Sequence, residues 1–173
     1  KAGEFYTPHE VSLLMSEIVA DHLQGRSEIK IYDPTSGSGS LLINIGKTAA
    51  KYMDDANRIR YYAQELKANT YNLTRMNLVM RGILPDNILT RNGDTLEEDW
   101  PYFDESDPQG TYEPLYVDAV VSNPPYSQRW TPNGKENDAR YARYGLAPKS
   151  KADYAFLLHD LYHLKPDGIM TIV

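Results

Sequence analysis

Asn123-Pro124-Pro125-Tyr126 is the segment whose residue types folding alone explains least. Two consecutive prolines remove two backbone donors and hold the chain extended, so the Pro124 carbonyl and the Asn123 amide oxygen can both face one donor. A primary amine, with its two hydrogens, satisfies both acceptors at once. Tyr126 then offers a flat face on which a planar group can stack. A rigid exit from a strand accounts for the prolines, but not for the asparagine before them or the tyrosine after.

Asp33-Pro34-Thr35-Ser36-Gly37-Ser38-Gly39 is the second such segment. Glycines after a strand permit a tight turn and close approach of a ligand to the backbone, while an acid at the strand end can accept from ribose hydroxyls or an ammonium. A nucleotide-like ligand is implied, with a bare tight turn as the competing reading. The dinucleotide fingerprint wants a third glycine where Leu42 stands, and no Gly-Lys-Ser/Thr follows to make a phosphate loop. Glu65 and Asp94 extend the pattern as acids at the ends of two further strands, placed to bind the polar edge of an adenosine or simply to cap turns. His159 and His163 have the spacing of a shared zinc site, but aspartate follows the first histidine where a metalloprotease needs glutamate, so they read as helix-surface residues and no metal is expected.

The elements that must position these residues alternate. Thr7 reads as a helix cap with Pro8 at the first helical position and Glu10 at the third, and Val11, Leu14, Met15, Ile18 and Val19 follow at helical spacing, predicting a helix over 8–23. A strand over 29–32 leads through the glycine loop into a helix from residue 40. Strands are expected at 61–64, 88–90 and 117–122, the last apolar on both faces as an interior parallel strand should be. Helices are expected at 66–80 and 153–164, then a turn at 166–168 and a fifth strand at 169–173. The alternation predicts an α/β, doubly wound, mostly parallel sheet with ligands outside the carboxyl ends of its strands. Because the sequence stops inside a predicted strand, it is expected to be a fragment of a longer protein.

The length of 173 residues suits one domain, with no repeat or linker. Apolar runs such as 155–158 fall far short of the roughly 18 residues of a membrane span, and Lys1 opens no secretory leader, so the default compartment is the cytoplasm. There is no cysteine, which removes thiolate metal sites and cysteine nucleophiles. The net charge of −6 lacks the field of a free-standing nucleic-acid binder.

The sequence resembles the modification subunit of type I restriction systems. The resemblance rests on Asn123-Pro124-Pro125-Tyr126 after a hydrophobic strand, on Phe5-Tyr6-Thr7-Pro8, on the Asp33 to Gly39 loop and on Gly93-Asp94-Thr95-Leu96, and runs from Gly3 to Val173. It implies a Rossmann-like, S-adenosylmethionine-dependent methyltransferase core truncated after its fifth strand, acting on the adenine amino group of a flipped base. It also implies double-stranded DNA, a specificity subunit, a restriction subunit and a second modification subunit as partners. Tyr6, Thr7, Pro8, Asp33, Thr35, Ser36, Gly37, Ser38, Gly39, Glu65, Asp94 and Thr95 would surround the cofactor, and Asn123, Pro124, Pro125 and Tyr126 the base. Hydrogen bonds from the amine to Asn123 and the Pro124 carbonyl would make that delocalised nitrogen a better nucleophile, and Tyr126 would offset part of the cost of unstacking the base. The familiar route to carbon 5 of cytosine needs a thiolate that this chain lacks.

Charge is unevenly spread. From residue 86 to 118 there are ten acids against one base, a stretch expected to repel DNA; from 128 to 151 there are six bases against two acids, with Trp130, Tyr141 and Tyr144 interleaved. The basic stretch, inserted over 127–152 directly after the catalytic motif, is expected to be a mobile lid that contacts phosphates through Arg129, Arg140, Arg143, Lys149 and Lys151. Competing functions are methylation of a protein glutamine amide, a cofactor-binding assembly or sensing subunit with little activity alone, and a nicotinamide oxidoreductase.

Overall fold

The computed structural model describes residues 7–100 and 114–173. Phe5, Tyr6 and the acids Asp104, Glu105, Asp107 and Glu113 lie outside the described residues. Five strands, β1 (Ile29–Asp33), β2 (Ile59–Glu65), β3 (Ile88–Asn92), β4 (Val117–Ser122) and β5 (Leu164–Ile172), form one sheet in the order β3-β2-β1-β4-β5. Every pairing is parallel. β4 is buried along its whole length, which its run of β-branched residues requires. The strand order reverses between β1 and β4, and their carboxyl ends open the crevice in which such sheets hold ligands.

Helices α1 (His9–His22), α2 (Ser40–Ala50) and α3 (Ala68–Met80) cover one face, meeting Ile31, Ala119 and Val121 through Val19, Leu42, Ile45 and Leu78. The other face presents Tyr32, Tyr62, Val117 and Val120, and α4 (Ala152–Tyr162) lies over it. Residues 127–151 form turns without a helix or strand. They pack nonetheless: Trp130, Tyr141 and Ala147 join Leu96, Ala155 and Phe156 in a separate core cluster, and the Trp130 indole donates to the Pro148 carbonyl at 2.9 Å. This is an anchored loop rather than the mobile lid its length and charge suggest.

Several expectations are corrected by packing. Thr7 does not cap α1, which begins after Pro8 without a side-chain cap. Leu14 and Ile18 are 61% and 45% exposed, while Ser12 and Ser16 are buried. Small hydroxyls let α1 approach α2 closely, and Asn44 of α2 donates to Ser12 Oγ at 2.7 Å. His159 and His163 are fully buried against Tyr32 rather than on the surface of α4. β5 starts five residues early and runs through Pro166-Asp167-Gly168: Val117 pairs with Leu164 but Ala119 with Ile169, so the extra residues bulge. Among the described residues β5 is an edge strand, where a bulge and a proline are tolerated.

The acid-rich stretch is not one repelling face among the described residues. Asp118 is buried and takes Arg26 at 2.7 Å, Lys165 at 3.2 Å and the Lys30 amide at 2.8 Å. Glu97 pairs with Lys135, Glu98 with Arg91 and Asp99 with His163. No helix among the described residues is long and apolar enough to cross a membrane.

Candidate active site

A cavity of about 670 Å³ opens at the carboxyl ends of β1, β2 and β4, a size suited to a nucleotide-like ligand. Its floor is the loop after β1. Gly37 and Gly39 hold left-handed φ values of +55° and +82°, and a Cβ on Gly39 would press on Thr74 Cγ2 at 3.3 Å. The turn is locked from both sides: the Ser36 amide donates to the Gln64 carbonyl at 3.0 Å, Asn77 donates to the Ser38 carbonyl at 2.9 Å, and the Thr74 hydroxyl donates to the Gly37 carbonyl.

Three acids stand around this floor. Asp33, 1% exposed, accepts from the Thr35 amide through Oδ1 at 2.9 Å, while its buried Oδ2 has no partner among the described residues. Burial pushes its carboxyl up to about 8, with Glu65 nearby adding to the rise against the Thr35 amide. Such an acid lacks a counter-charge that a cationic ligand group would supply. Glu65 braces the floor by accepting from the Gly37 and Lys67 amides at 2.9 and 3.1 Å. Asp94 accepts from the Leu96 amide at 3.0 Å and lies 3.3 Å from the Gln128 amide nitrogen. The capping and ligand-facing readings of these two acids therefore coexist, since both line the cavity. Thr95 lines it as well, and its hydroxyl donates to the Pro34 carbonyl at 2.6 Å.

The catalytic-motif candidates sit at the end of β4. Asn123 Nδ2 donates to Thr7 Oγ1 at 3.1 Å, so the hydroxyl that would have capped α1 is instead engaged by the motif. Both line the cavity, as do Pro125 and Arg129. Pro124 is buried. Tyr126 is 41% exposed and its phenol donates to the Val173 carbonyl, while the Val173 amide donates to the Ser122 carbonyl at 3.1 Å. The phenol is thereby tied to the residue that follows β5, and neither Tyr126 nor Pro124 lines the cavity; burial, Asp160 and Asp153 all raise the Tyr126 pKa. Beneath the motif, Ser122 Oγ donates to the buried Asp160 carboxyl at 2.9 Å; burial drives that carboxyl well above the usual range, and Asp33 adds to the rise.

Of the proposed cofactor residues, Thr7, Asp33, Thr35, Ser36, Gly37, Ser38, Glu65, Asp94 and Thr95 meet in the one cavity. Pro8, which is exposed, and Gly39 do not line it, and Tyr6 lies outside the described residues. Leu41, Leu66, Lys67, Thr70, Leu73, Ser127, Gln128 and Phe156 also line it and escaped sequence reasoning. Leu66 and Lys67 could have been found as the residues following a strand-end acid; Phe156 comes from a remote helix and carries no local signal. Arg129, Arg143, Lys149 and Lys151 are exposed, but Arg140 is 2% exposed, which corrects its assignment to a DNA surface. Asp99, His159 and His163 approach within 4.8 Å of one another. Arg140 and Tyr32 occupy both His159 nitrogens at 3.0 and 2.9 Å, and the guanidinium lies 3.9 Å from Asp99, so an organic cation already sits where a metal would compete.

A model of the N-6 DNA Methylase family matches residues 1–173. The methylase subunit of the type I restriction enzyme MpnII from Mycoplasma pneumoniae is 39% identical over 99% of this chain and 31% of its own length. That of HindI from Haemophilus influenzae is 27% identical over 100% and 35%. The chain thus spans about a third of the length of these curated relatives. Among solved structures, a type I restriction-modification system methyltransferase subunit from Streptococcus thermophilus superposes with a TM-score of 0.83 at 46% identity, covering 99% of this chain and 35% of that one. A class I S-adenosylmethionine-dependent methyltransferase structure from Listeria monocytogenes superposes at 0.73 with 16% identity, over 99% of this chain and 47% of the other, and shows the shared Rossmann-like fold.

Proposed function

This chain belongs to the N-6 DNA Methylase family, and from that premise we propose that it is the catalytic core of an adenine-specific DNA methyltransferase, the modification subunit of a type I restriction system. The observation that carries the reading is the meeting of Asn123 with Asp33, Glu65, Asp94 and the glycine loop in one cavity. S-adenosylmethionine fits that cavity by chemistry: a cationic methionine end answers the Asp33 Oδ2 that has no partner among the described residues, and Glu65 and Asp94 are acceptors for ribose hydroxyls and an exocyclic amine. When bound, it supplies an electrophilic methyl group on a sulfonium.

The chain's own residues do the rest. Asn123 presents its amide oxygen, and the Pro124 carbonyl is the second acceptor. Together they draw on both N–H bonds of the adenine amine and raise the electron density on its nitrogen. Tyr126, anchored through its hydroxyl, offers its ring to a base turned out of the duplex. Arg129, Arg143, Lys149 and Lys151 are the groups for flanking phosphates. The relatives are named as subunits, which supports double-stranded DNA, a specificity subunit, a restriction subunit and a second modification subunit as partners.

The test is methyl transfer from labelled S-adenosylmethionine to adenine in duplex DNA by the full chain with its specificity subunit. Asn123→Ala should lower transfer by at least about 100-fold, the size of losing one such electrostatic contact, while leaving cofactor affinity within about threefold. Full transfer by that variant, or methylation of a base other than adenine, would overturn the reading.

A further inference from the structure

Arg140 lies in the interior with its side chain 1% exposed. Every N–H of its guanidinium is engaged. Nε and Nη2 donate to the Asp138 carboxylate at 3.1 and 2.9 Å, and Nη1 donates to the Thr95 carbonyl at 2.7 Å and to His159 Nδ1 at 3.0 Å. Nη2 also donates to the Leu96 carbonyl at 3.2 Å. Burial, with His163 and Arg140 adding to it, holds His159 well below its ordinary pKa, so its ring is neutral and Nδ1 accepts.

A buried ion pair adds little stability over apolar side chains of the same size; its better-attested use is to select one arrangement. Trp130 and Tyr141 already pin the 127–151 loop by apolar contact. What Arg140 adds is a hold on the two carbonyls that follow Asp94. Two more side chains of the same loop reach the same turn, Gln128 at 3.3 Å from Asp94 and Lys135 at 3.0 Å from Glu97. Thr95 passes the hold on to the glycine loop through the Pro34 carbonyl. One segment therefore carries exposed bases on its outside and grips the wall of the cavity on its inside.

We propose that Arg140 is a positioning residue that joins the cofactor cavity to the base-bearing loop, so that filling the cavity and binding duplex DNA are thermodynamically coupled through its hold on the Thr95 and Leu96 carbonyls. The proposal rests on the cofactor and substrate assigned above. Coupling of this kind is reciprocal: the factor by which DNA tightens the cofactor is the factor by which the cofactor tightens DNA.

The experiment measures Kd for S-adenosylhomocysteine by calorimetry on the full chain, with and without random-sequence duplex DNA at low salt, in the wild type, Arg140→Met and Asp138→Asn. The wild type should show a ratio of roughly 5- to 50-fold. Arg140→Met should bring it to one, and Asp138→Asn, which neutralises the nearer of the guanidinium's two carboxylate neighbours at a 23% exposed side chain while Asp99 stays at 3.9 Å, should reduce it partway. Asp138→Asn decides the matter if Arg140→Met does not fold. A wild-type ratio of one, or an unchanged ratio in either folded variant, overturns the coupling while leaving the enzyme assignment standing. Failure of the wild type to bind either ligand overturns the assignment and the coupling together.

Discussion

Asp33 shows how much the site costs the fold. An acid whose pKa is higher folded than unfolded takes up its proton on folding, so the stability it contributes is fully present below its ordinary 3.8 and is lost as pH rises to about 8. Asp33→Asn keeps the acceptor for the Thr35 amide and removes the charge. It should raise Tm at pH 8 by roughly 2–8 °C, as ~1–2 kcal/mol does for a chain of this size, and leave Tm nearly unchanged at pH 4, while weakening S-adenosylmethionine binding. Scanning calorimetry at the two pH values checks this, and an equal shift at both would mean that the charge is not the cause. Asp160, buried and raised by the same physics, makes Asp33 the second of two acids held beneath one site. Residue types single out Asp33, Glu65, Asp94 and Asn123 because they recur at the ends of successive strands; each acid alone has an ordinary capping use, and it is the recurrence that points to a ligand. They do not reveal Thr7's bond to Asn123 or the interior position of Arg140, because a hydroxyl before a helix and an arginine in a loop each have a commoner use.

At the scale of elements, β4 and the strand–glycine–helix unit were legible since each pairs a local pattern with a sharp stop. The loop after the catalytic motif was not, because its anchors are single aromatic residues spaced eleven apart rather than a periodic run. Trp130 and Tyr141 meet edge to face with centroids 5.5 Å apart, over the same α4 that carries Phe156 into the cavity. Trp130→Ala should cost about 3–5 kcal/mol within that cluster. The expected result is rapid tryptic cleavage after Arg129, Arg143 or Lys149 in the variant and slow cleavage there in the wild type. Equal cleavage in both would show that the cluster does not hold the loop. The start of β5 is hidden in the sequence because Pro-Asp-Gly normally signals a turn, and a strand at the edge of the described sheet can absorb it as a bulge.

For the molecule as a whole, the net charge of −6 conceals how the charges are used. Among the described residues most acids of the 86–118 stretch are spent on internal pairs, whereas Arg129, Arg143, Lys149 and Lys151 face outward. Reversing these four together should weaken DNA binding and lower the slope of log affinity against log salt by about four, roughly one for each phosphate no longer neutralised; adding Arg140 to the set would test folding instead. Fluorescence anisotropy over a salt series reads both quantities, and an unchanged slope would place the DNA elsewhere. The strand order has a consequence for how the protein is made. A chain leaving the ribosome completes β1, β2, β3 and every acid that lines the cavity before β4 has emerged, and the β1–β4 pairing that joins the halves spans some of the longest separations in the sheet. Asn123 reaches the glycine loop only when that seam closes, so a nascent chain can assemble the acid-and-glycine half of its cavity while the Asn123 side is still missing.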